Sequence, residues 1–263
     1  MADLWLMDLG SSRVKWQVRS ESGLELERGA WSVDVAPVLP ETSPAAVWLS
    51  RVGAPEREVV LRQAIRDRHG WVPIHSVRAQ TDGPAGLHLG YDCHQLGADR
   101  YCALLGVLGH TRAPAVVIDA GTAVTIDLLG ADGLHLGGYI LPGFRLGLAA
   151  VSALLPSELR DQVAPVLEQA PYVGNAASCN PGQDTRQSLV RGWTCGLAGA
   201  LQGLGGSSGG GVGGDVREWW LTGGDSPWLA ALLAGPCRIE PDLIFDGLWL
   251  CAQGGVRDMG GRK

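Results

Sequence analysis

The chain is poor in lysine, in long apolar runs and in paired cysteines. Lys15 and Lys263 are the only lysines among 21 basic residues. No apolar run approaches the roughly 18 residues that cross a bilayer, so no membrane partner is expected. The six cysteines include no CxxC pair and the six histidines show no ligand spacing, which excludes the common zinc and redox motifs. We therefore interpret the cysteines as small buried apolar residues.

Charge and composition exclude further classes of function. The 263 residues carry a net charge of −6, and only 18% of them are charged. An acidic chain without a basic stripe is a poor partner for nucleic acid. A hydrophobic fraction of 46% indicates a folded protein of one or two domains. Because an apolar strand begins near Leu4 with no basic segment before it, we expect no signal peptide and a cytoplasmic location.

The single internal lysine stands out against this background. The 39 glycines and the excess of arginine over lysine indicate a genome rich in G and C codons, in which lysine drifts to arginine where either serves. Lys15 is therefore interpreted as a position that arginine does not easily fill. A compact ammonium suits a phosphate contact that a planar guanidinium does not fit. A surface lysine retained by chance is the alternative.

An acidic glycine turn occurs twice, each time after an apolar strand. Residues 4–7 (LWLM) lead into 8–12 (DLGSS), and residues 115–118 (AVVI) lead into 119–123 (DAGTA). Apolar residues alternate again after each turn, which predicts two strand–turn–strand hairpins. A carboxylate at a strand end can hold a metal-bound phosphate or a water, and glycine lets a backbone approach closely. Two such turns facing each other across a cleft would hold a nucleotide.

Periodicity and turn residues predict the other elements. A helix is expected over 55–69, with Val59, Val60, Ala64 and Ile65 on its apolar face. Strands are also predicted over 24–27, 45–49, 71–74, 134–140 and 218–221, and helices over 99–109, 141–155, 184–204, 243–254 and from 227 onward. The helix over 184–204 is expected to be capped by Asp184 or Thr185.

Two further segments are rich in glycine. Residues 205–214 are almost entirely glycine and serine, and we interpret them as a flexible surface insertion. A phosphate cradle is the alternative, but the segment lacks the GxxxxGK[ST] spacing and no apolar strand precedes it. The TGGD sequence at 222–225 lies between a predicted strand and a helix, where backbone amides bind anions or ribose hydroxyls.

Five motifs follow one another along the chain. They are DxGxxxxK at 8–15, GADR at 97–100, DAGTA at 119–123, GGYILPG at 137–143 and TGGD at 222–225. In this order the chain closely resembles the type III pantothenate kinases, a bacterial family that includes the Bvg accessory factor homologues. The resemblance covers nearly the whole chain. It implies a duplicated ribonuclease H-like α/β fold of the acetate and sugar kinase, chaperone ATPase and actin superfamily.

The resemblance also implies a domain organisation and an activity. The two ribonuclease H-like lobes would be residues 1–112 and 113–263, with a cleft between them and a homodimer interface in the second lobe. The implied reaction is ATP-dependent phosphorylation of pantothenate to 4′-phosphopantothenate, the first step of coenzyme A biosynthesis. The implied cofactors are Mg²⁺ with ATP and a monovalent cation, K⁺ or NH₄⁺.

The functional positions of the family fall on named residues of this chain. The ATP-binding positions correspond to Asp8, Gly10, Ser11, Ser12, Arg13, Lys15 and Thr122. The substrate-binding positions correspond to Tyr91, Gly97, Ala98, Asp99, Arg100 and Thr185. By this resemblance Asp99 is the general base and Arg100 binds the pantothenate carboxylate. Asp119 would hold the monovalent cation, and Asp8 would hold Mg²⁺.

Each of these residues also has a purely structural interpretation. Asp99 begins an amphipathic helix and would serve as its N-cap or first-turn acid. Arg100 by itself would be a solvated or paired arginine, whereas a bidentate contact would suit an acidic substrate. Asp119 would pair with a nearby arginine. Asp127, two positions beyond Thr125, is expected to face solvent or a turn.

Two other functions remain open at this point. A nucleotide-binding regulatory or accessory protein of the same fold would have little kinase activity. The family usually has Asn-Thr where this chain has Ser11-Ser12, and this departure permits such a role because serine keeps a hydroxyl but lacks the amide. Another phosphotransferase of the superfamily would act on a sugar or on acetate, and Arg100 would then have no special role.

Overall fold

The computed structural model describes residues 3–168, 180–205, 218–233 and 235–258. Its strands are β1 (Leu4–Leu9), β2 (Arg13–Arg19), β3 (Glu25–Ser32), β4 (Ala46–Arg51), β5 (Ile74–Ser76), β6 (His88–Leu89), β7 (Ala115–Ala120), β8 (Ala123–Leu129), β9 (Leu134–Pro142), β10 (Glu218–Thr222) and β11 (Cys237–Ile239). Its helices are α1 (Pro55–His69), α2 (Ala98–His110), α3 (Phe144–Ser152), α4 (Ser157–Glu168), α5 (Thr185–Gly205), α6 (Ser226–Ala230) and α7 (Leu243–Asp258). None of the helices in these ranges is long and apolar enough to cross a membrane.

The chain divides into two compact units. The first comprises Met1–Arg112, Asp132–His135 and Asp242–Lys263, and the second comprises Ala113–Ala131 and Leu136–Pro241. Neither unit is one continuous half of the chain, because α7 packs against α2, β1 and β4 of the first unit. Most of the segment predicted as a glycine- and serine-rich insertion lies outside the described residues.

The first unit is built on a five-stranded sheet in the order β3-β2-β1-β4-β5. The strands β3, β2 and β1 are antiparallel neighbours, whereas β4 runs parallel to β1 and to β5. Side chains alternate between the two faces of a sheet. Trp5, Met7 and Leu9 of β1 belong to one buried cluster with Leu61 and Ile65 of α1. The intervening residues of β1 therefore project from the opposite face.

That opposite face is covered by α7 and α2. The Gln17 amide donates a hydrogen bond to Asp242 Oδ1 at 2.8 Å, and Arg19 Nη2 donates to Asp246 Oδ1 at 2.8 Å. Asp8 is the register partner of Lys15 in the β1–β2 pair, and Lys15 lies two positions before Gln17 on β2. Because residues two apart on a strand share a face, the Asp8 carboxylate points to the side of the sheet on which α7 and α2 lie.

The second unit repeats this arrangement. Its strands follow the order β11-β10-β7-β8-β9, in which β7 and β8 are antiparallel and β10 runs parallel to β7 and to β11. Ile118, Ile126 and Leu221 pack with Leu197 of α5 and Leu229 of α6. The strands β9, β8, β7, β10 and β11 follow one another as β3, β2, β1, β4 and β5 do in the first sheet. Where the strand directions can be compared they also agree, as a duplicated fold requires. The short strand β6 pairs with the first two residues of β9, within the first unit.

The helix over 55–69 has the predicted bounds, but its apolar face was predicted wrongly in part. Leu61 and Ile65 are the buried residues of α1. Val59 and Val60 are 65% and 56% exposed. At 3.6 residues per turn, Ile65 lies about 40° around the helix axis from Leu61, whereas Val59 and Val60 lie about 160° and 100° from it. The stripe through Leu61 and Ile65 contacts the sheet, so both valines are turned away from it.

Other predictions of local structure need correction. The strand predicted at 71–74 is wrong, because β5 begins at Ile74 and Trp71 is 83% exposed. The prediction that Asp127 faces solvent or a turn is wrong, because it is 2% exposed within β8. The elements α4 and β11 were not predicted. Short strands and loop-to-helix transitions carry little periodicity, so their bounds depend on tertiary contacts.

The described cysteines fall into two groups. Cys102 and Cys251 are buried, as predicted. Cys93, Cys195 and Cys237 are only partly buried, so the interpretation of every cysteine as a core residue is wrong for these three. A partly exposed thiol remains available to solvent and to metal ions, whereas a buried one is chemically inert.

Candidate functional site

The first acidic turn joins β1 to β2. Asp8 is the penultimate residue of β1 and is 7% exposed. The Gly10 amide donates to the Arg13 carbonyl at 3.0 Å and closes the turn, while Ser11 and Ser12 are exposed. The turn therefore presents hydroxyl and backbone groups beside a largely buried carboxylate. Such concave turns bind anions and metal-bound phosphates.

Arg57 of α1 supports this turn from outside. Its Nη1 donates to the Ser11 carbonyl at 2.7 Å and to the Gly10 carbonyl at 3.3 Å. Sequence reasoning missed Arg57, because its position beside the turn depends on how two distant strands pair. The strand β4 runs parallel to β1 with Leu9 opposite Arg51, so both strands end at the same edge of the sheet. A helix that begins directly after β4 therefore begins beside the acidic turn.

Lys15 stands beside Asp8 on the neighbouring strand. The two residues are register partners in the antiparallel β1–β2 pair, and Ser50 of β4 is the register partner on the other side. Cross-strand partners project from the same face, with Cβ atoms about 5 Å apart. Lys15 is partly exposed, whereas Ser50 is fully buried. The Lys15 ammonium therefore lies next to the acidic turn, at the end of the sheet where β1 ends and β2 begins.

Asp99 in the first turn of α2 lies on the same side of the first unit as Asp8. Burial raises the pKa of the Cys102 thiol, and a hydrogen bond with Cys251 and the negative charges of Asp8 and Asp99 raise that pKa further. The Cys102 sulfur is therefore within electrostatic range of both carboxylates. Two acids separated by 91 positions in the chain are brought together around one residue of α2.

The start of α2 is shaped around the Asp99 carboxylate. Gly97 occupies the N-cap position, so Asp99 is a first-turn acid and not the N-cap. Asp99 Oδ1 accepts a hydrogen bond from the Arg100 amide at 2.7 Å. A Cβ atom at Gly97 would lie 2.5 Å from Asp99 Oδ1, too close for a non-bonded contact. Glycine at this position leaves room for the carboxylate.

Arg100 is a buried cation packed on an aromatic ring. Arg100 is 6% exposed, and its guanidinium carbon lies 5.5 Å from the centroid of the Tyr91 ring. The Tyr91 ring in turn lies against His135 with centroids 5.8 Å apart. Contact with an aromatic ring helps to fix the position of a guanidinium, and the planar guanidinium group can bind a carboxylate through two N–H donors. Ala98, the first residue of α2, is also buried.

The second acidic turn, in the second unit, is one residue shorter than the first. Asp119 is the penultimate residue of β7, and the Gly121 amide donates to the Ala123 carbonyl at 3.0 Å. Thr122 is exposed, and its carbonyl accepts a hydrogen bond from the Gly143 amide at 2.9 Å. The turn is therefore tied to the start of α3. Asp119 occupies the position in its sheet that Asp8 occupies in the first.

The TGGD segment passes directly over Asp119. Thr222 is the register partner of Asp119 in the parallel β10–β7 pair. Gly223 has φ +88°, and a Cβ atom there would lie 2.4 Å from Asp119 Oδ1 and 2.3 Å from the Ala120 carbonyl oxygen. No side chain fits at this position, so glycine allows the TGGD backbone to pass close to the Asp119 carboxylate. Carboxylate and carbonyl oxygens are the ligands that hard cations prefer.

Thr185 begins α5 in the second unit. Asp184 caps this helix, because its Oδ1 accepts a hydrogen bond from the Gln187 amide at 2.7 Å, which confirms the predicted capping by Asp184. The predicted site residues divide between the two units. The first unit holds Asp8, Gly10, Ser11, Ser12, Arg13, Lys15, Tyr91, Gly97, Ala98, Asp99 and Arg100, and the second holds Asp119, Thr122 and Thr185.

The first unit thus combines three chemical capabilities. A carboxylate at a helix start can accept a proton, a buried guanidinium can bind a carboxylate, and a hydroxyl-bearing turn with a nearby ammonium can bind phosphate. Transfer of a phosphoryl group to an alcohol needs this combination of positioning and charge neutralisation more than it needs covalent chemistry.

Comparison of sequences connects the chain to one family. Residues 4–205 match the family model of type III pantothenate kinase. A type III pantothenate kinase of Pseudomonas aeruginosa is 34% identical over an alignment of 249 residues that covers 93% of this chain and 96% of that protein. The similarity therefore extends over most of both chains.

Comparison with solved structures shows the fold. A Campylobacter jejuni protein assigned to the Baf family of transcriptional activators has a TM-score of 0.57 at 21% identity, and the match covers 96% of this chain and 99% of that one. A Sinorhizobium meliloti protein assigned as a 2-dehydro-3-deoxygalactonokinase has a TM-score of 0.51 at 14% identity, with 95% and 98% covered. The chain has the duplicated ribonuclease H-like fold.

Proposed function

The chain belongs to the type III pantothenate kinase family and is a kinase, and we propose that it transfers the γ-phosphoryl group of ATP to the hydroxyl of pantothenate. The product would be 4′-phosphopantothenate, in the first step of coenzyme A biosynthesis. The observation that carries this proposal is that Asp8 and Asp99, from distant parts of the chain, both lie close enough to Cys102 for their charges to raise the pKa of its thiol. A phosphate-binding carboxylate and a proton acceptor must lie close together for direct transfer between ATP and an alcohol.

Asp99 is the proposed general base. It would accept the proton of the pantothenate hydroxyl as the oxygen attacks the γ-phosphorus in line with the leaving group. The hydrogen bond from the Arg100 amide to Oδ1 at 2.7 Å holds the carboxylate in one orientation. The second oxygen, Oδ2, is the proposed proton acceptor. The absence of a Cβ atom at Gly97 keeps this orientation sterically possible.

Arg100 is the proposed partner of the pantothenate carboxylate. Because it is nearly buried and packed on Tyr91, its guanidinium is held by the protein before substrate binds. A charge-assisted bidentate contact to a carboxylate is stronger than a contact to a neutral group. A sugar substrate would offer no such group, so Arg100 favours an acidic alcohol. Gly97 and Ala98 would place the backbone of the α2 start against the same substrate.

The first acidic turn is the proposed phosphate-binding loop. Asp8 fits a Mg²⁺ ion bound with ATP, since Mg²⁺ is held in proteins by one or two carboxylates together with substrate phosphates. Bound there, the ion would neutralise phosphate charge. Ser11 and Ser12 supply exposed hydroxyls, and Lys15 supplies a cation on the same face as Asp8. These donors would stabilise the charge that develops on the phosphate oxygens during transfer.

Asp119 is the proposed ligand of a monovalent cation, K⁺ or NH₄⁺. The Asp119 carboxylate lies near the end of β7 with the backbone of Gly223 close beside it, and a carboxylate oxygen is a suitable ligand for such an ion. The cation would offset part of the phosphate charge. Thr122 in the same turn is a proposed ATP contact, and Thr185 at the start of α5 is a proposed substrate contact.

A homodimer is proposed through the second unit. Its exposed large apolar side chains include Leu136 and Ile140, which project from the same side of β9, Tyr139 on the other side of that strand, and Leu146, Val151 and Leu154 in and after α3. Large exposed apolar residues concentrated in one part of a protein favour a protein–protein contact. A second copy of the chain would remove this area from water.

Pantothenate-dependent ADP release, measured with K⁺ or NH₄⁺ present, tests the proposed reaction. The wild-type chain should turn over, and Asp99→Asn should lower kcat by about 10²- to 10⁴-fold, the usual contribution of a general base, with the KM for ATP nearly unchanged. A regulatory protein with little activity predicts no release above background. Retention of most of the turnover by Asp99→Asn at saturating ATP would show that Asp99 is not the base.

A further inference from the structure

Three consecutive side chains in the loop before α2 bring together ligand atoms of three kinds. A carboxylate oxygen of Asp92, the sulfur of Cys93 and a ring nitrogen of His94 all lie within 4.8 Å of one another. Asp92 and His94 are exposed and Cys93 is partly buried, so a metal ion in water can reach all three. Oxygen, sulfur and imidazole nitrogen are the ligands of protein-bound zinc.

The spacing fits a zinc ion after a small adjustment. Zinc–ligand distances of about 2.0 to 2.3 Å in a tetrahedron require ligand atoms about 3.3 to 3.8 Å apart. The present separations would therefore have to close by at most about 1.5 Å, which rotation of exposed side chains can supply. The three residues leave one tetrahedral position for water.

Two of the three side chains are already oriented by neighbours. Asp92 Oδ1 accepts a hydrogen bond from the His94 amide at 3.0 Å, and Asp92 Oδ2 accepts one from Gln95 Nε2 at 2.7 Å. The Thr81 hydroxyl donates to the Cys93 sulfur at 3.7 Å. Hydrogen bonds of this kind orient the carboxylate and thiolate ligands of metal sites. A carboxylate oxygen that accepts one such bond still has a lone pair for a cation.

We propose that Asp92, Cys93 and His94 form a binding site for one Zn²⁺ ion. The Cys93 thiol gives up its proton to water when the ion binds, since the thiolate is the ligand. The Asp92 carboxylate and the Cys93 thiolate together balance the charge of the ion, so the occupied site carries no net charge. This matters because a cation, the Arg100 guanidinium, packs on the ring of the preceding residue, Tyr91. The site is distinct from the residues proposed for ATP and pantothenate.

Titration of the full chain with Zn²⁺ alone, without ATP or pantothenate, tests the proposal. Isothermal titration calorimetry should show one site with a dissociation constant on the order of 1 μM. This affinity lies between that of two surface ligands and that of a structural site with four protein ligands. Cys93→Ser and His94→Gln should each weaken binding by at least about tenfold. Circular dichroism would show that both variants remain folded, as expected for residues near the surface.

Matched control variants make the result specific. Cys237→Ser removes another partly exposed thiol, and His88→Gln removes a surface histidine that contacts Asp82 at 2.8 Å. Both controls should bind Zn²⁺ as the wild type does. Co²⁺ bound to the wild type should show thiolate-to-metal charge-transfer absorption that Cys93→Ser lacks. Equal binding by all variants, or no binding by the wild type below about 100 μM, would overturn the proposal.

Discussion

Arg57 holds the backbone of Ser11 from the first turn of α1, with 2.7 Å between Arg57 Nη1 and the Ser11 carbonyl oxygen. The same nitrogen lies 3.3 Å from the Gly10 carbonyl oxygen. These two hydrogen bonds hold the backbone of the turn in one conformation, in which the Ser11 and Ser12 side chains are exposed. Arg57 is therefore a positioning residue for the proposed phosphate-binding loop.

Arg57→Ala should raise the KM for ATP by about fivefold, which corresponds to about 1 kcal/mol of lost hydrogen bonding, while kcat changes less than about twofold. Arg57→Lys should give an intermediate KM because one donor and the charge remain. Steady-state kinetics with varied ATP gives both constants. Arg66→Ala, on the exposed side of the same helix, is the control and should match the wild type. An unchanged KM in Arg57→Ala would contradict the positioning role.

Gly97→Ala should lower kcat by about ten- to a hundredfold without unfolding the chain. The added Cβ would lie 2.5 Å from Asp99 Oδ1, so the carboxylate must rotate away, and a misplacement of about 1 Å in a catalytic group costs rate on this scale. Gly109→Ala in the same helix is the control, since its Cβ would meet Leu250 at an ordinary 3.4 Å. Equal kcat in the two variants would argue against a role for the Asp99 orientation.

Asp246→Asn should lower the free energy of unfolding by about 2 kcal/mol, because Arg19 would keep a largely buried charge without its ionised partner. The Arg19 and Asp246 side chains are 10% and 24% exposed. Glu25→Gln removes an acid that pairs with the half-exposed Arg28, and it should change stability by less than about 1 kcal/mol. Urea denaturation of both variants measures the difference. A larger loss in Glu25→Gln would reverse the expected order.

Gly223→Ala should raise the K⁺ concentration needed for half-maximal activity by about tenfold or more. Its Cβ would enter the space between Asp119 Oδ1 and the Ala120 carbonyl oxygen, and a φ of +88° strains alanine. Gly224→Ala is the matched control, because no atom lies within 4 Å of its added Cβ. ADP release measured against K⁺ concentration tests this. The same K⁺ dependence in both variants would place the cation elsewhere.

Ile140→Glu should convert a dimer of the wild-type chain into a monomer. The substitution puts a charge among the exposed apolar side chains of β9, where burial in an interface would cost several kcal/mol. Trp71→Glu changes an apolar residue of the first unit that is more exposed still, 83% against 65%, and should remain dimeric. Light scattering after size-exclusion chromatography gives the molar masses. A monomeric wild type at micromolar concentration would remove the basis of the proposed dimer.

How far the sequence predicts the site differs from residue to residue. The two acidic turns were predictable because alternating apolar residues followed by an acid and a glycine are local signals. Arg57 was not, since one arginine among many on a helix carries no signal of its partner. The Asp92–Cys93–His94 group also escaped notice, because consecutive ligands match none of the usual zinc spacings, and their side-chain proximity depends on the shape of the loop.

The sequence by itself determined the two hairpins with Asp8 and Asp119 near their strand ends, the bounds of α1, and the start of α2 at the GADR motif. These features depend on residues within one or two turns of each other, and local propensity and periodicity are sufficient for them. The tertiary structure alone decided that Asp8 and Asp99 lie around Cys102, that Arg57 contacts Ser11, and that α7 packs against α2 in the first unit. The reason is physical: these partners are 46 or more positions apart, and only burial of apolar faces against one sheet brings such distant segments together.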